Sequence, residues 1–280
     1  MPEFAEVNTQ VRWLRARVTG MRIASHGHTG AGHFPELKGD PAKAQKLASW
    51  LDGQQIVAVT QRGKHVVMRL PTGTLVSHLM FAGRWSMAGD DFVSPYKRHA
   101  EPPAPKSASF WLVDPAGRRL NFHDPEYRGK VRFHPGAAPG AVAELVGLGP
   151  DVLQTPESEP DFAMPWTAAH LAAALARKRT AIKAQLLEQA MVAGLGNMYA
   201  CEALYRAGIA PQRPSQGLSP DEVRALFEAA QGVVGDALRT GLDYGAVLKV
   251  YKRELDPEGR AVTVEEIGGR DTYWVPAAQR

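Results

Sequence analysis

The first residues of the chain combine an amine with two carboxylates. If Met1 is removed, which a small second residue favours, Pro2 gives the chain a secondary amine at its N-terminus. An α-amino group titrates near pH ~8, so much of it is neutral and nucleophilic at physiological pH. Glu3 and Glu6 lie within one helical turn of that amine. Such a group can form an iminium with a sugar or carbonyl carbon, although Pro and Glu also suit an ordinary helix start.

Three other positions carry weaker signals of phosphate binding. Lys64 begins a strand after a glycine, and Arg270 follows Gly268-Gly269 at the tip of a predicted hairpin. Asn197 follows a Gly-Leu-Gly turn between two helical patterns, where backbone N–H groups and a helix N-terminus that point outward suit a phosphate. Taken singly, each position also fits a solvated turn or an ordinary helix corner.

Composition sets the outer bounds. The chain has 280 residues, room for two domains, with 44% hydrophobic and 22% charged residues as in soluble globular proteins. No apolar run approaches the ~18 residues of a membrane span, and the formal charge of +4 weakly favours a polyanionic partner. Cys201 stands alone, which excludes an intramolecular disulfide and a multi-cysteine zinc site. His26, His28 and His33 could ligate a metal, but their spacing is not diagnostic.

The elements that must position these residues follow from periodicity and caps. Val7, Val11, Leu14 and Val18 predict a helix over residues 2–18. Short β-branched runs between residues 55 and 133 predict an antiparallel sandwich or barrel. Residues 149–165 are rich in Pro, Asp, Glu and Ser and predict a linker. Helices capped by Thr167, Thr180 and Ser219 follow, with predicted spans of 168–178, 182–191 and 220–239, and a small β-hairpin ends the chain.

In combination these motifs resemble the formamidopyrimidine-DNA glycosylase/endonuclease VIII family of base-excision repair enzymes. The matching motifs, in chain order, are Pro2-Glu3 with Glu6-Val7, Arg62-Gly63-Lys64, His78-Leu79 with Gly83-Arg84, Asp124-Pro125 with Gly129, residues 182–189, residues 194–199, Glu202-Ala203-Leu204, Val250-Tyr251, and Gly268-Gly269-Arg270 with Thr272-Tyr273. The resemblance implies an α+β protein: an N-terminal helix packed on an antiparallel β-sandwich, then a helix–two-turn–helix domain ending in a β-hairpin finger. The expected boundaries are 1–149, a linker at 150–165, 166–248 and a finger at 249–280.

The resemblance also implies roles for individual residues. Pro2 would attack the anomeric carbon and Glu3 would move protons, while Lys64 and Arg270 would complete the catalytic set by gripping phosphates. The implied DNA-binding residues are Glu6, Phe81, Tyr127, Arg128, Lys183 and Asn197, with Phe81 filling the gap left by an extruded nucleotide. No metal and no cofactor are expected.

Three stretches depart from the family pattern. The usual finger has four cysteines on zinc, but residues 254–259 and 274–278 contain no such ligand, which resembles a zincless finger. Glu126 stands where an arginine usually reads the base opposite the lesion. The segment 240–250 is short where members specific for 8-oxoguanine carry a longer loop. These departures leave the preferred lesion open.

The expected function is a bifunctional DNA glycosylase and abasic-site lyase that removes oxidised or ring-opened bases through a Schiff base on Pro2 and cleaves the strand by β,δ-elimination. Its expected partner is double-stranded DNA with damaged bases or abasic sites. The protein is expected to be a monomer without membrane contact, cytoplasmic and associated with the nucleoid. The alternatives are an abasic-site lyase with negligible glycosylase action and a non-catalytic protein that binds damaged DNA.

Overall fold

The computed structural model describes residues 1–29, 41–87, 108–126, 128–176 and 178–280. The helices are α1 (Phe4–Val18), α2 (Pro41–Leu51), α3 (Ala143–Val146), α4 (Ala168–Leu175), α5 (Ile182–Leu186), α6 (Asn197–Arg206), α7 (Pro220–Arg239) and α8 (Tyr244–Val247). The strands are β1 (Ser25–His28), β2 (Ala58–Arg62), β3 (His65–Leu70), β4 (Gly73–His78), β5 (Arg84–Met87), β6 (Ala108–Val113), β7 (Arg119–His123), β8 (Lys130–Pro135), β9 (Thr263–Ile267) and β10 (Arg270–Trp274). Within these ranges no helix is both long and apolar enough to cross a membrane.

Contacts divide the chain into two compact units. The first consists of residues 1–2, 6–146 and 156–162, and the second of residues 3–5, 147–155 and 163–280. The division passes through α1 after Ala5, and the segment expected as a linker, 150–165, is shared between the units. The domain boundaries expected from the sequence remain predictions.

The first unit contains two four-stranded antiparallel sheets, in the orders β1-β6-β7-β5 and β2-β3-β4-β8. Trp85, Phe110 and Phe122 of the first sheet are buried in one cluster with apolar side chains of β3 and β4 of the second sheet, and the Trp85 and Phe122 ring centroids are 5.1 Å apart. Val7 and Leu14 on α1 belong to the same buried cluster. The packing of α1 and of strands from both sheets into one buried cluster therefore confirms the predicted α+β class with an N-terminal helix on a β-sandwich.

Two elements of the first unit were not foreseen. Strand β1 lies in a Gly- and His-rich stretch for which the sequence predicts no strand, and helix α2 follows in a region without a clear periodic signal. His26 and Gly27 pair with Leu112 and Trp111 of β6, so this strand depends on a distant partner. Within the described part of the chain no group of three or more His, Cys, Asp or Glu side chains is placed to hold a metal, and His33 lies outside it.

The second unit is helical, and its caps test the sequence directly. Thr167 accepts a hydrogen bond from the His170 amide (3.2 Å), and Ser219 forms the predicted capping box with Glu222. The Thr180 cap was wrong: helix α5 begins after Ala181 and ends at Leu186 instead of residue 191. The Thr180 hydroxyl instead accepts a hydrogen bond from the Gln185 side chain at 2.6 Å.

The finger is an antiparallel hairpin of β9 and β10, in which Ile267 pairs with Arg270 across a two-residue turn. Gly268 and Gly269 adopt φ of +63° and +71°, a conformation that glycine reaches without strain and that matches the strand twist. The predicted Gly-Gly turn is therefore confirmed.

A buried carboxylate organises the segment that leads into the finger. Asp256 accepts hydrogen bonds from the backbone N–H groups of Glu258 (3.0 Å) and Arg260 (2.8 Å) and from the Tyr205 hydroxyl (3.1 Å). The Arg260 guanidinium forms an ion pair with the same carboxylate at 2.6 Å. Residues 249–280 contain neither Cys nor His. Because tetrahedral structural zinc sites are built from those ligands, this finger does not fit the zinc of the usual family pattern.

This network predicts that metal removal has no effect on the fold. Incubation with a chelator should leave the melting temperature unchanged, whereas Asp256→Ala should lower it and expose the finger to limited proteolysis. Glu266→Ala, which removes an exposed acid from β9, is the matched control and should behave as wild type. A chelator-induced drop in melting temperature would contradict this account of the finger.

Candidate active site

Glu3 is held at the N-terminus of helix α6. Its carboxylate accepts hydrogen bonds from the backbone N–H groups of Gly196 (3.0 Å), Met198 (2.7 Å) and Tyr199 (3.1 Å), and the side chain is 3% exposed. The first N–H groups of a helix have no partner within it, and the N-cap residue, Gly196, has no side chain to offer. Glu3 supplies the missing acceptor and a negative charge where the helix dipole favours one.

The Gly-Leu-Gly turn is shaped around the N-terminal residues. A Cβ on Gly196 would lie 2.5 Å from the Glu3 carboxyl carbon, and one on Gly194 would lie 2.7 Å from the Phe4 ring. Gly194 also has a φ of +102°, and its carbonyl accepts a hydrogen bond from Phe4 N–H at 3.1 Å. The interpretation that this turn aims its N–H groups outward at a phosphate was wrong, because they bind Glu3.

Pro2 and Glu6 flank this anchored carboxylate in the chain. Pro2 is buried and belongs to the first unit, as does Glu6, which is 1% exposed in the first turns of α1. Since Pro2 directly precedes Glu3, the amine that loss of Met1 would release is one residue away from a carboxylate in a fixed position.

Lys183 and Asn197 meet next to the finger. Lys183 is fully buried, and its Nζ donates hydrogen bonds to the Asn197 Oδ1 (2.5 Å) and the Thr272 hydroxyl (3.4 Å). The Asn197 Nδ2 donates to the carbonyl of Asp271 at 2.8 Å. The structure therefore brings together two of the predicted DNA-binding residues. The Asn197 amide joins α6 to α5 through its oxygen and to β10 through its nitrogen.

The surroundings of Lys183 lower its pKa below the ordinary value of a lysine. Burial lowers the pKa of this lysine, and the positive charge of Arg270 lowers the pKa further, against the opposing effects of Cys201 and Glu3. Arg270 itself is exposed at the first position of β10. Lys183, Asn197 and Arg270 thus form one cluster of the second unit.

Lys64 lies in the first unit, in the tight turn between β2 and β3. It follows Gly63, whose φ is +55°, and it is only 5% exposed. The paired residues at the ends of the two strands are Arg62 and His65. Lys64 is thus held in a compact turn, unlike the solvated strand-edge lysine that the sequence also allowed.

Phe81 and Arg128 contact each other in the first unit. The Arg128 guanidinium lies 5.3 Å from the centroid of the Phe81 ring, within the range of a cation–π interaction. Phe81 is half-buried and Arg128 is exposed, so both have surface available to a partner. Tyr127 lies outside the described residues.

Two histidines for which the sequence predicted no role, His65 and His78, pack beside these loops. The rings of His65 and His78 are 4.8 Å apart and nearly perpendicular. The Met80 N–H donates to the His78 Nδ1 at 3.0 Å, which holds the start of the Phe81 loop, where Met80 has a φ of +51°. Burial lowers the pKa of His65 to about 4 and that of His78 to about 3, so both rings are neutral at pH 7.

Glu202, named above only as part of a family motif, also has a structural role that the sequence did not predict. It is fully buried, and its carboxylate accepts hydrogen bonds from the backbone N–H groups of Lys249 (2.8 Å), Val250 (2.9 Å) and Tyr251 (2.8 Å). A charged residue among the apolar positions of helix α6 is the signal that could have identified it, since carboxylates are seldom buried without partners.

Comparisons with known proteins agree with this architecture. Residues 1–131 match the profile of the formamidopyrimidine-DNA glycosylase N-terminal domain, and residues 156–246 match that of the formamidopyrimidine-DNA glycosylase H2TH domain. Among curated proteins, the formamidopyrimidine-DNA glycosylases of Jannaschia sp. and Paracoccus denitrificans are 32% and 33% identical to this chain, each over 100% of both chains. The chain belongs to the formamidopyrimidine-DNA glycosylase family.

Solved structures show the same similarity. The enzyme of Lactococcus lactis bound non-covalently to DNA containing an abasic site superposes with a TM-score of 0.81 at 25% identity, covering 99% of both chains. The protein from Thermus thermophilus gives a TM-score of 0.78 at 27% identity, covering 99% of this chain and 98% of the other.

The packing of Gly196 against Glu3 predicts the effect of a single methyl group. Gly196→Ala should lower the free energy of unfolding by about 1–3 kcal/mol, because Glu3 must move and leave backbone N–H groups without their acceptor. Urea denaturation measures this. Gly235→Ala in α7, where a Cβ meets nothing within 4 Å, is the control and should raise stability by roughly 0.5–1 kcal/mol. Equal effects of the two substitutions would contradict the packing argument.

The neutral histidine pair predicts a pH dependence of stability. An unfolded histidine titrates near pH 6.5, so the unfolded chain takes up protons below that pH while folded His65 and His78 do not. The free energy of unfolding should therefore fall as the pH drops from 6.5 towards 4, by up to ~1.4 kcal/mol per pH unit and group. The charged groups that act on the pair are Lys64, Lys130, Arg132 and Glu144.

Urea denaturation between pH 7.5 and 5, above the titration of most carboxylates, tests this dependence. His65→Phe and His78→Asn should each reduce the slope, because each removes one depressed imidazole. His170→Asn, at an exposed position of α4, is the control and should keep the wild-type slope. A wild-type stability that is flat across this range would show that the folded rings accept protons normally.

Proposed function

We propose that this protein is a bifunctional DNA glycosylase and abasic-site lyase of base-excision repair that acts through Pro2. The observation that carries the proposal is the anchored carboxylate of Glu3, the residue directly after Pro2. Three backbone N–H groups of the Gly196–Tyr199 segment hold this carboxylate. A nucleophilic amine next to a positioned proton-transfer group is the arrangement that covalent catalysis on a sugar carbon requires. The partner proposed is double-stranded DNA with damaged bases or abasic sites, consistent with the abasic-site DNA bound by the Lactococcus lactis relative.

The chemistry can be written as a sequence of bond changes. The neutral Pro2 nitrogen forms a bond to C1′ of the damaged nucleotide and passes its N–H proton to the Glu3 carboxylate. The C1′–base bond breaks with its electron pair leaving on the base, which takes up a proton from water. Glu3 protonates the sugar ring oxygen, so the ring opens and the N–C1′ bond becomes an iminium. Loss of a C2′ proton then expels the 3′ phosphate, and loss of the C4′ proton in a second elimination expels the 5′ phosphate. Water hydrolyses the remaining iminium, which releases the sugar fragment as an aldehyde and restores the Pro2 amine. A one-nucleotide gap remains.

The basic and amide side chains are proposed to bind the DNA backbone. Lys64, Asn197 and Arg270 would contact phosphates near the lesion. Lys183 would hold the Asn197 side chain in place through its hydrogen bond to Oδ1. Such contacts position DNA without reading its sequence. Phe81 is proposed to fill the gap left in the base stack, and its contact with Arg128 would supply a cation to the same region.

We propose that the protein accepts bases other than cytosine opposite the lesion. Glu126, which follows the buried Asp124, is exposed at the position where the family usually carries an arginine. Its backbone N–H donates to Asp124 Oδ1 at 3.1 Å, which fixes the loop that presents it. Glu126 favours a second candidate function, that of an abasic-site lyase with weak base removal. An acid at this position would impair recognition of the base but would leave the chemistry of the Pro2 amine intact.

Borohydride trapping tests the proposed chemistry. Wild type, shown by mass spectrometry to have lost Met1, should become covalently attached to duplexes with an abasic site and with oxidised or ring-opened bases. Pro2→Gly should trap poorly, and a variant with residues added before Pro2 should not trap at all, because its amine is blocked. Glu3→Gln should slow base removal by roughly 100-fold or more, since it cannot donate or accept the proton.

The panel separates the candidates. Trapping on an abasic site without release of any base would favour the lyase, and tight binding to damaged duplexes without trapping would favour a non-catalytic binding protein. Trapping that persists with a blocked N-terminus would show that an amine other than Pro2 is the nucleophile.

A further inference from the structure

The side-chain amide of Gln61 joins helix α1 to the turn that carries Lys64. Gln61 lies near the end of β2 and is fully buried. Its Oε1 accepts a hydrogen bond from the Asn8 Nδ2 at 2.8 Å, and its Nε2 donates one to the Gly63 carbonyl at 2.8 Å. All four residues belong to the first unit.

The bond to Gly63 acts on the peptide group in front of Lys64. The Gly63 carbonyl and the Lys64 N–H belong to one planar unit, so fixing the carbonyl fixes the plane from which the Lys64 Cα departs. Gly63 has a φ of +55°, but a glycine is free to adopt many other conformations. The turn therefore needs a restraint that holds it in this one.

The hydrogen bond from Asn8 fixes the oxygen end of the Gln61 amide, so the hydrogen bonds from Asn8 to Gln61 and from Gln61 to Gly63 form a relay. Asn8 is fully buried on α1, and its Nδ2 also lies 3.3 Å from the Glu157 Oε2. A flipped Gln61 amide would face the Asn8 NH2 with its own NH2 and the Gly63 carbonyl with an oxygen. Since an amide has one donor end and one acceptor end, only one orientation satisfies both neighbours.

The backbone of Gln61 is held independently of its side chain. Its N–H donates to the Glu157 carbonyl and its carbonyl accepts from the Glu159 N–H, both at 2.7 Å. Replacing the side chain with one of similar length therefore keeps these two backbone hydrogen bonds and removes those of the side-chain amide.

We propose that Gln61 is a positioning residue that sets Lys64 relative to helix α1, the helix that begins two residues after Pro2. The proposal rests on the proposed function in one respect: it assigns Lys64 to the DNA-processing site. Gln61 does not touch the DNA in this scheme. It acts through Lys64, and its contribution disappears when Lys64 is removed.

A double-mutant cycle with Gln61→Met and Lys64→Ala tests this dependence. Two quantities are measured: the single-turnover rate of trapping on abasic-site DNA, and the Kd for a duplex carrying a tetrahydrofuran abasic analogue. Gln61→Met should slow trapping by roughly 10- to 100-fold, because small misplacements of catalytic groups have effects of that order. In the Lys64→Ala background the same substitution should change neither quantity by more than about 2-fold. A change of that size lies within the usual scatter of double-mutant measurements.

The control variant is Gln10→Met, which removes a buried amide from α1, the helix that carries Asn8. Gln10 is 3% exposed and accepts a hydrogen bond from the Trp85 N–H at 3.0 Å, away from the Lys64 turn. Its effect should multiply with that of Lys64→Ala, as for independent sites. Gln61→Glu keeps the acceptor for Asn8 but faces the Gly63 carbonyl with an oxygen, so it should impair trapping as Gln61→Met does and serves if Gln61→Met does not fold.

The outcomes separate this proposal from the proposed function. If Gln61→Met behaves as wild type, or if its effect multiplies with that of Lys64→Ala, the positioning role is wrong. If wild type binds the analogue duplex but does not trap, the proposed function fails and the Kd cycle alone decides on Gln61. A wild type that neither binds nor traps overturns both.

Discussion

The hydrogen bonds between the Glu3 carboxylate and the start of helix α6 are the interaction on which the rest of the site depends. Helix α6 begins after a glycine, so its first N–H groups have no local side chain to accept them. A carboxylate from the other end of the chain accepts three of them, across a separation of 193 residues to Gly196. Hydrogen bonds to charged groups contribute more than neutral ones. The same contacts that complete the helix therefore fix the position of the residue next to Pro2.

Side-chain amides carry the second layer of support. Gln61 links α1 to the Lys64 turn in the first unit, and Asn197 links α6 to β10 in the second. An amide is suited to this because its donor and its acceptor are held about two ångströms apart in one plane, so it joins two neighbours in a defined orientation. Buried amides left half-satisfied are costly, which makes each link sensitive to substitution.

The sequence predicted those parts of the structure that depend on local interactions. Helix α1, the Ser219 capping box and the Gly268-Gly269 turn follow from periodicity, caps and glycine conformation. Strand β1 and the way in which α5 begins did not follow, because they depend on distant partners: β1 pairs with β6, and the Ile182 N–H donates to the Arg213 carbonyl at 2.8 Å. The family resemblance supplied the predicted site residues, yet the contacts of Glu3 and Gln61 are long-range and have no signature in local sequence.

The finger shows how a hairpin without metal ligands is stabilised. Zinc would hold such a hairpin through ligands of its own, whereas here the support comes from helix α6. Cys201 accepts a hydrogen bond from the Tyr273 N–H at 3.5 Å, and the Tyr205 hydroxyl donates to Asp256. Asn197, Cys201 and Tyr205 are spaced four residues apart, so one face of α6 carries the contacts to the finger. The N-terminus of that same helix holds Glu3. A finger that is fastened to α6 by packing and hydrogen bonds is therefore coupled to the helix that positions the N-terminal carboxylate, which an independent zinc-bound module would not require.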